Sequence, residues 1–491
     1  MYGVWTADRI RAAERPLLDR LPQDALMRRA AHGLTVAVRR FLVSTTGRRV
    51  VLLVGAGDNG GDALWAGAEL RRSGAAVTAV LLAPERAHAT GLAAFRRARG
   101  RVVDASAALE IVRSADVVVD GIVGISGRGG LRPPADALVA AAAGVPVVAV
   151  DLPSGVDADT GLVEGTAVDA ALTVTFGARK PVHVLAAPRC GPVELVDIGL
   201  DLGEPDAWVL EAADVGARWP IPGPADDKYT QGVVGIAAGS ATYPGAAVLA
   251  AGAATLATSG MVRFAGSAAD GVRARWPEIV ATDTIDEAGR TQAWTVGPGI
   301  GTDDAGRALL EAVLARDVPV CVDADAITLL AGDKALRDAV RGRPIVLTPH
   351  AGEFARIAGE VGADRIGAAR RAAAELGVTV LLKGNATVVA DPSGRTLVHP
   401  STDAWAATAG SGDVLSGILG ALLAAGLEPW WAAGCAAHVH ALAASLAAHG
   451  LPGPAGSALG RPGVPASASA LQAAVPEAIR RVREAGCPQA R

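Results

Sequence analysis

Short apolar, β-branched runs bounded by Gly, Pro or Asp recur through the first two hundred residues, at 49–54, 76–82, 116–119 and 145–150. Helical patterning fills the gaps, as in Asp62–Ser73 and Ala135–Ala143, and a further strand is predicted at 172–176. Runs this apolar suit strands buried on both faces, and the strand–helix rhythm predicts a parallel, doubly wound sheet. A second rhythm opens at Val233-Val234-Gly235-Ile236-Ala237-Ala238, with strands predicted at 293–296, 318–322, 344–347 and 378–382. Between the two, residues 216–227 hold three prolines and two glycines, the composition of a linker. The expected class is α/β in two domains, 1–213 and 228–491, joined by a linker at 214–227. Residues 450–470, rich in Gly, Pro, Ala and Ser, predict a mobile loop, and Leu471–Glu484 a last helix. The apolar stretch 414–427 is Ala/Gly-rich and stops at Glu428-Pro429, which favours a core helix over a membrane span.

At 491 residues the chain exceeds what one core usually holds. Its 46 basic and 50 acidic residues leave a net charge of −4, so no nucleic-acid or membrane partner is expected. Lysine is scarce, occurring only at 180, 228, 334 and 383. Composition bias explains the scarcity, and a retained lysine becomes a candidate for work that a guanidinium fork cannot do. Cysteines at 190, 321, 435 and 487 show neither metal nor disulfide spacing. With no signal-peptide pattern at the start, the expectation is a soluble cytoplasmic protein with reduced thiols.

The most informative segment is Thr408-Ala409-Gly410-Ser411-Gly412-Asp413, followed at once by the apolar run from Val414. Glycines around Ser411 permit a tight turn that points several N–H groups at one spot, and a helix opening there adds its positive dipole end. Asp413 sits inside that anion site, placed to take a proton from a substrate hydroxyl during phosphoryl transfer. Lys383-Gly384-Asn385-Ala386-Thr387, after strand 378–382, suits nucleotide phosphates. Gly297–Gly301, Asp323–Ala326 and Leu347–Glu353 follow other strands, and His350 in the last is a candidate substrate contact.

In the first half, Gly55-Ala56-Gly57-Asp58-Asn59-Gly60-Gly61-Asp62 contains G-x-G-x-x-G after a strand. Its acids oppose a pyrophosphate, so two readings stand: Asp62 caps the helix, or the segment forms an oxygen-rich pocket for sugar hydroxyls, an amide or a cation. Asp120–Gly130 and Asp151-Leu152-Pro153-Ser154-Gly155 also follow predicted parallel strands, so all three project from one sheet edge.

These three segments, in this order, resemble the NAD(P)H-hydrate epimerase domain over about residues 1–210. The resemblance implies a Rossmann-like α/β/α domain. It implies that Asp58, Asn59, Gly60, Gly61 and Asp62, Gly124, Ile125, Ser126, Gly127, Arg128, Gly129 and Gly130, and Asp151 contact the substrate. Asn59, Asp120 and Ser154 would ligate potassium, and Asp151 is the first candidate for proton handling.

The second half resembles ribokinase-like enzymes in Gly-Ser-Gly-Asp. It is similar in particular to the NAD(P)H-hydrate dehydratase domain over about 225–485. The resembling motifs are Gly-Ser-x-x-Tyr-Pro-Gly-Ala, Gly-Pro-Gly-Ile-Gly, Asp-Ala-Asp-Ala, Leu-Thr-Pro-His-x-Gly-Glu and Ala-Gly-Ser-Gly-Asp. It implies that Lys383, Gly384, Asn385, Ala386, Thr387 and Gly412 bind the nucleotide, whereas Ala246, Gly299, His350 and Asp413 bind the hydrate. ADP is the implied phosphoryl donor, with Mg²⁺, and the substrates are NADHX and NADPHX. A homo-oligomer is the expected assembly. The alternative is a ribokinase-like kinase for a vitamin or hydroxymethyl substrate, its N-terminal module binding nucleotide without catalysis.

Overall fold

A computed structural model of the chain describes residues 1–257, 260–400, 403–450 and 462–487. The chain divides into two compact units, Gly3–Ala207 and Trp208–Arg491, the latter with Met1–Tyr2.

In the first unit seven parallel strands lie in the order Arg101–Asp104, Ala76–Leu81, Arg49–Val54, Val117–Gly121, Val147–Val150, Leu172–Phe176, Val193–Val196. Alternate side chains of the central strand enter different cores. Val50, Leu52 and Val54 pack on one face, and Val51 and Leu53 on the other. Burial on both faces is why the strand reads as an unbroken apolar run. The edge strands Arg101–Asp104 and Val193–Val196 escape such a reading because they carry charge and are only partly buried. Strand order reverses between Arg49–Val54 and Val117–Gly121, and the crevice beyond the carboxyl ends there is where ligands bind in such sheets. The following helix spans Asp58–Arg72 with Gly57 as its N-cap, so Asp62 lies inside the helix and does not cap it.

The second unit runs Val280–Thr282, Met261–Ala265, Val233–Ala237, Ala293–Val296, Val320–Val322, Ile345–Leu347, Thr379–Leu382, all parallel. Ala386–Ala390 and Thr396–Pro400 continue it antiparallel. Residues 383–385 thus connect a hairpin, with Ala386 and Thr387 already in its second strand. The Ser411–Ala424 helix is buried nearly all round, with Val414, Ile418 and Leu422 at most 1% exposed. It lies tight against Pro244–Ala257, since a Cβ on Gly417 would stand 2.2 Å from the Ala250 carbonyl oxygen. Among the described residues one helix, Pro429–His449, is long and apolar enough to cross a membrane, and most of it is buried in this core. Cys190, Cys321 and Cys435 are buried free thiols.

The boundary between units falls ahead of the expected 214–227 linker. Ala212–Arg218 forms a helix whose Val215, with Trp219 just beyond it, joins the second core, and the continuously exposed stretch is 221–230. The Pro/Gly signal marks that exposed part, while the apolar positions before it belong to a core assembled from distant sequence. Of the loop expected at 450–470, residues 451–461 lie outside the described residues, and the last helix starts at Ala468 behind the N-cap Ser467. Trp219→Ala should therefore destabilise the second unit by about 3–5 kcal/mol, the scale for truncating a buried aromatic. Denaturant unfolding of the full chain checks this, and a loss under about 1 kcal/mol would return the segment to linker status.

Candidate functional site

At the carboxyl edge of the first sheet lies a cavity of about 290 Å³. Asp58, Asn59 and Asp62 reach it from the first turns of the Asp58–Arg72 helix, Gly124, Ile125 and Ser126 from one loop, and Asp151 from another. The opposing wall is apolar and includes Ile10, Leu26, Met27, Phe176 and Ile198. Residues 127–130 lie outside the lining, and Arg128 donates instead to Asp157 at 2.7 Å.

Asp151 is held from several directions. Its Oδ1 accepts from Lys180 Nζ at 2.6 Å and from Thr175 Oγ1 at 2.9 Å. Lys180, 1% exposed, also donates to Thr175 Oγ1 and the Ala178 carbonyl. His183 Nδ1 accepts from the Lys180 N–H at 2.9 Å, which leaves its Nε2–H to donate to the Asp151 carbonyl at 2.9 Å. Burial and the adjacent Lys180 push this imidazole down to about 3, so it is neutral. The network holds Asp151 at φ +70°, a left-handed conformation that costs a non-glycine residue about 1–3 kcal/mol.

Behind the cavity, Asp120 is fully buried and accepts from Ser154 N, Ser154 Oγ and Ile122 N, at 2.8, 2.7 and 3.2 Å. Burial outweighs these bonds and raises its carboxyl to about 6. Among the described residues no cationic side chain forms an ion pair with it. The Asn59 amide nitrogen donates to the Val150 carbonyl at 2.6 Å, and its amide oxygen lies 2.6 Å from where a Cβ on Gly124 would stand. One carboxylate among amide and hydroxyl oxygens fits a hard monovalent cation.

In the second unit the loops after the parallel strands meet the start of the Ser411–Ala424 helix. Gly410 caps it at φ +85°, the left-handed region that glycine enters without strain. Lys383 Nζ lies 3.4 Å from the position of a Cβ on Gly412, and donates to Asp323 Oδ1 at 2.7 Å. Asp323 is buried and also accepts from Ser416 Oγ at 2.6 Å. Burial opposes both charges, yet the pairing holds Asp323 below and Lys383 above their ordinary values. Among the described residues Asp413 has no such partner. Burial, then the neighbouring Asp323, raise it to about 7 against the pull of Lys383.

Gly299, at φ +65°, would bring a Cβ to 3.0 Å from Ala246 Cβ, so those two residues adjoin. His350 serves as a helix cap: its Nδ1 accepts from the N–H groups of Gly352 and Glu353, while Glu353 accepts from the His350 N–H. Arg365, which sequence reasoning did not single out, donates to the carbonyls of Lys383, Leu382 and Ala386 and fixes the shape of the hairpin turn. Ser411 Oγ lies 2.9 Å from the buried His440 Nε2.

Comparison with known proteins adds a bifunctional NAD(P)H-hydrate repair enzyme Nnr from Mycobacterium tuberculosis, 60% identical over 436 residues, covering 87% of this chain and 90% of that one. The chain belongs to the bifunctional NAD(P)H-hydrate repair enzyme family. The Mycobacterium leprae enzyme of the same name is 58% identical over 463 residues, covering 92% and 96%. Residues 23–182 of this repair enzyme match the family described as YjeF-related protein N-terminus, and 234–451 the NAD(P)H-hydrate dehydratase family. A solved ADP/ATP-dependent NAD(P)H-hydrate dehydratase from Bacillus subtilis, co-crystallised with ATP/Mg²⁺, is 27% identical with a TM-score of 0.48, covering 56% of this chain and 99% of that one.

Lys180, His183 and Glu14 are the first-unit residues that sequence reasoning did not assign to the repair enzyme's site. Only Lys180 carried a signal, as one of four lysines in an arginine-rich chain. Lys180→Met leaves Asp151 buried without its cation and should cost about 3–5 kcal/mol. Chemical denaturation of the full chain measures this, and a near-neutral result would show the pair to be dispensable for folding.

Proposed function

We propose that the first unit interconverts the (R) and (S) epimers of NAD(P)H hydrate at C6. The second unit then dehydrates the (S) epimer to NAD(P)H with ADP as donor, releasing AMP and phosphate. The observation that carries this reading is Asp413, with no cationic partner of its own, beside Lys383 at the opening of the Ser411–Ala424 helix. The hydrate's hydroxyl leaves poorly as hydroxide. Asp413 takes its proton as the oxygen attacks the phosphoryl group, and the N–H groups of Gly412 and Asp413, unpaired among the described residues, stabilise the transferring charge. Loss of phosphate from C6 together with a proton from C5 restores the double bond of the dihydropyridine.

Lys383 and the 383–387 hairpin hold the nucleotide, and Asp323 keeps the lysine charged and aimed. Gly412 leaves room for the phosphates, because a side chain there would fill the space beside Lys383 Nζ. Ala246, Gly299 and His350 shape the hydrate pocket. Among the described residues no cluster of three or more His, Cys or acidic side chains could by itself hold a metal. A Mg²⁺ carried on the nucleotide phosphates, with Asp323 and Asp413 nearby, fits this donor set. It would supply charge neutralisation.

In the first unit, the cavity is just below the usual 300–1,000 Å³ range of small-molecule sites, a size suited to the hydrated ring rather than a whole dinucleotide. Asp151 handles the proton there. Asn59, Asp120 and Ser154 would hold potassium, whose charge offsets the buried Asp120 carboxylate.

Full-length protein with mixed NADH hydrate epimers, ADP and Mg²⁺ should recover absorbance at 340 nm and release phosphate. A stable phosphorylated product without that recovery would favour the small-molecule kinase. Because Asp413 must be ionised to accept the proton, turnover should climb through pH 7 and flatten above about pH 8. Asp413→Asn should lower turnover by about 10²–10⁴-fold and abolish that rise. A variant with full activity would remove Asp413 from the mechanism.

A further inference from the structure

We propose that Asp62 is the proton donor of the epimerase, paired with Asp151 as the base, so that the hydrated ring opens and recloses between the two carboxyl groups. The inference rests on the epimerase reading above. Asp62 is 6% exposed, lines the cavity, and among the described residues its Oδ1 has no hydrogen-bond partner. A buried carboxyl oxygen without a partner is costly in a purely structural role, and Asp62 lines a cavity in which a ligand can satisfy it.

The charges around Asp62 decide its protonation. Glu14 faces it from the Ala7–Arg20 helix, Asp58 from its own helix and Asp151 from the neighbouring loop. All three are acidic, and the cavity's one ammonium, Lys180, is committed to Asp151. Burial first, and then these carboxylates, push Asp62 well above the ordinary aspartate range. Asp62 therefore holds its proton more tightly than an ordinary aspartate, while Asp151 is paired with the Lys180 ammonium, an asymmetry that assigns acid and base.

The hydrate carries its hydroxyl on C6, next to N1, and is a hemiaminal. Asp151 takes the hydroxyl proton, and the O–H electron pair becomes the second C–O bond of an aldehyde. The C6–N1 bond breaks with its pair moving to N1, which takes the Asp62 proton. Rotation about C5–C6 presents the other aldehyde face. N1 then attacks C6, its proton returns to Asp62, and Asp151 gives its proton back to oxygen. Nothing is oxidised or reduced, and the reacting ring stays neutral, which suits the apolar wall opposite.

The test uses full-length protein without ADP, so that the dehydratase is idle, and follows conversion of isolated (R)-NADH hydrate by chromatography. Asp62→Asn should lower kcat by about 10²–10⁴-fold with KM changed by less than about threefold, and Asp62→Glu should restore part of the rate. A second measurement needs no variant. In ¹⁸O-water the wild-type product should take up well under one labelled oxygen per early turnover, because ring opening retains the C6 oxygen. Asp62→Asn turning over at the wild-type rate, or one full label per turnover, overturns the proposal. Wild-type protein that does not accelerate interconversion at all instead sinks the epimerase reading on which it rests.

Discussion

An ammonium–carboxylate pair, buried throughout in the first unit and on its carboxylate side in the second, stands at the carboxyl edge of each sheet, and each site is arranged around it. Lys180 meets Asp151 at 2.6 Å, and Lys383 meets Asp323 at 2.7 Å. Charges removed from water persist only when paired and further hydrogen-bonded. Thr175 and the Ala178 carbonyl supply the extra bonds in one unit, and Ser416 in the other. Each pair consumes the cation nearest the site. The next carboxyl, the buried Asp62 or the half-buried Asp413, is left near like charges and holds its proton more tightly than an ordinary aspartate. One ionised and one protonatable carboxyl side by side is the starting condition for proton transfer near neutral pH.

The two units then diverge in what surrounds the pair. The second opens a helix at the site, and the N–H groups of Gly412 and Asp413, unpaired among the described residues, favour a phosphoryl group. The first also starts a helix at its cavity, but Asp58, Asn59 and Asp62 occupy that helix's opening turns, so anions are repelled and neutral hydroxyls preferred. Its apolar wall limits water. One sheet geometry thus serves phosphoryl transfer in one unit and epimerisation of a neutral hemiaminal in the other.

The central strands were legible because burial on both faces leaves an unbroken apolar signature, as in Arg49–Val54 and Leu172–Phe176. The glycine-bordered loops were legible because tight turns beside a ligand restrict residue type, as at Gly410 and Gly299. What stayed hidden depends on distant contact. Glu14 joins the first site from an amphipathic helix, Arg365 reaches the hairpin from another, and Trp219 belongs to a core that its own neighbourhood does not announce. Helix starts were hidden for a local reason: Asp62 resembles a cap, whereas Gly57 takes that position.

The carboxyls assigned to proton transfer are not the ones that hold the backbone in place. Asp151 is an exception, since it both bonds Lys180 and lines the cavity, and it sits in a strained left-handed conformation that only its partners justify. Asp323 pairs with Lys383 and Ser416, behind the helix start, while Asp413 faces the site without a comparable bond. Replacing a member of either pair therefore changes folding stability and the proton affinity of its neighbour together. Replacing Asp62 or Asp413 by asparagine removes proton transfer and leaves the paired charges intact. Stability and chemistry are separable at those two positions because the chain places them next to the buried pair and not within it.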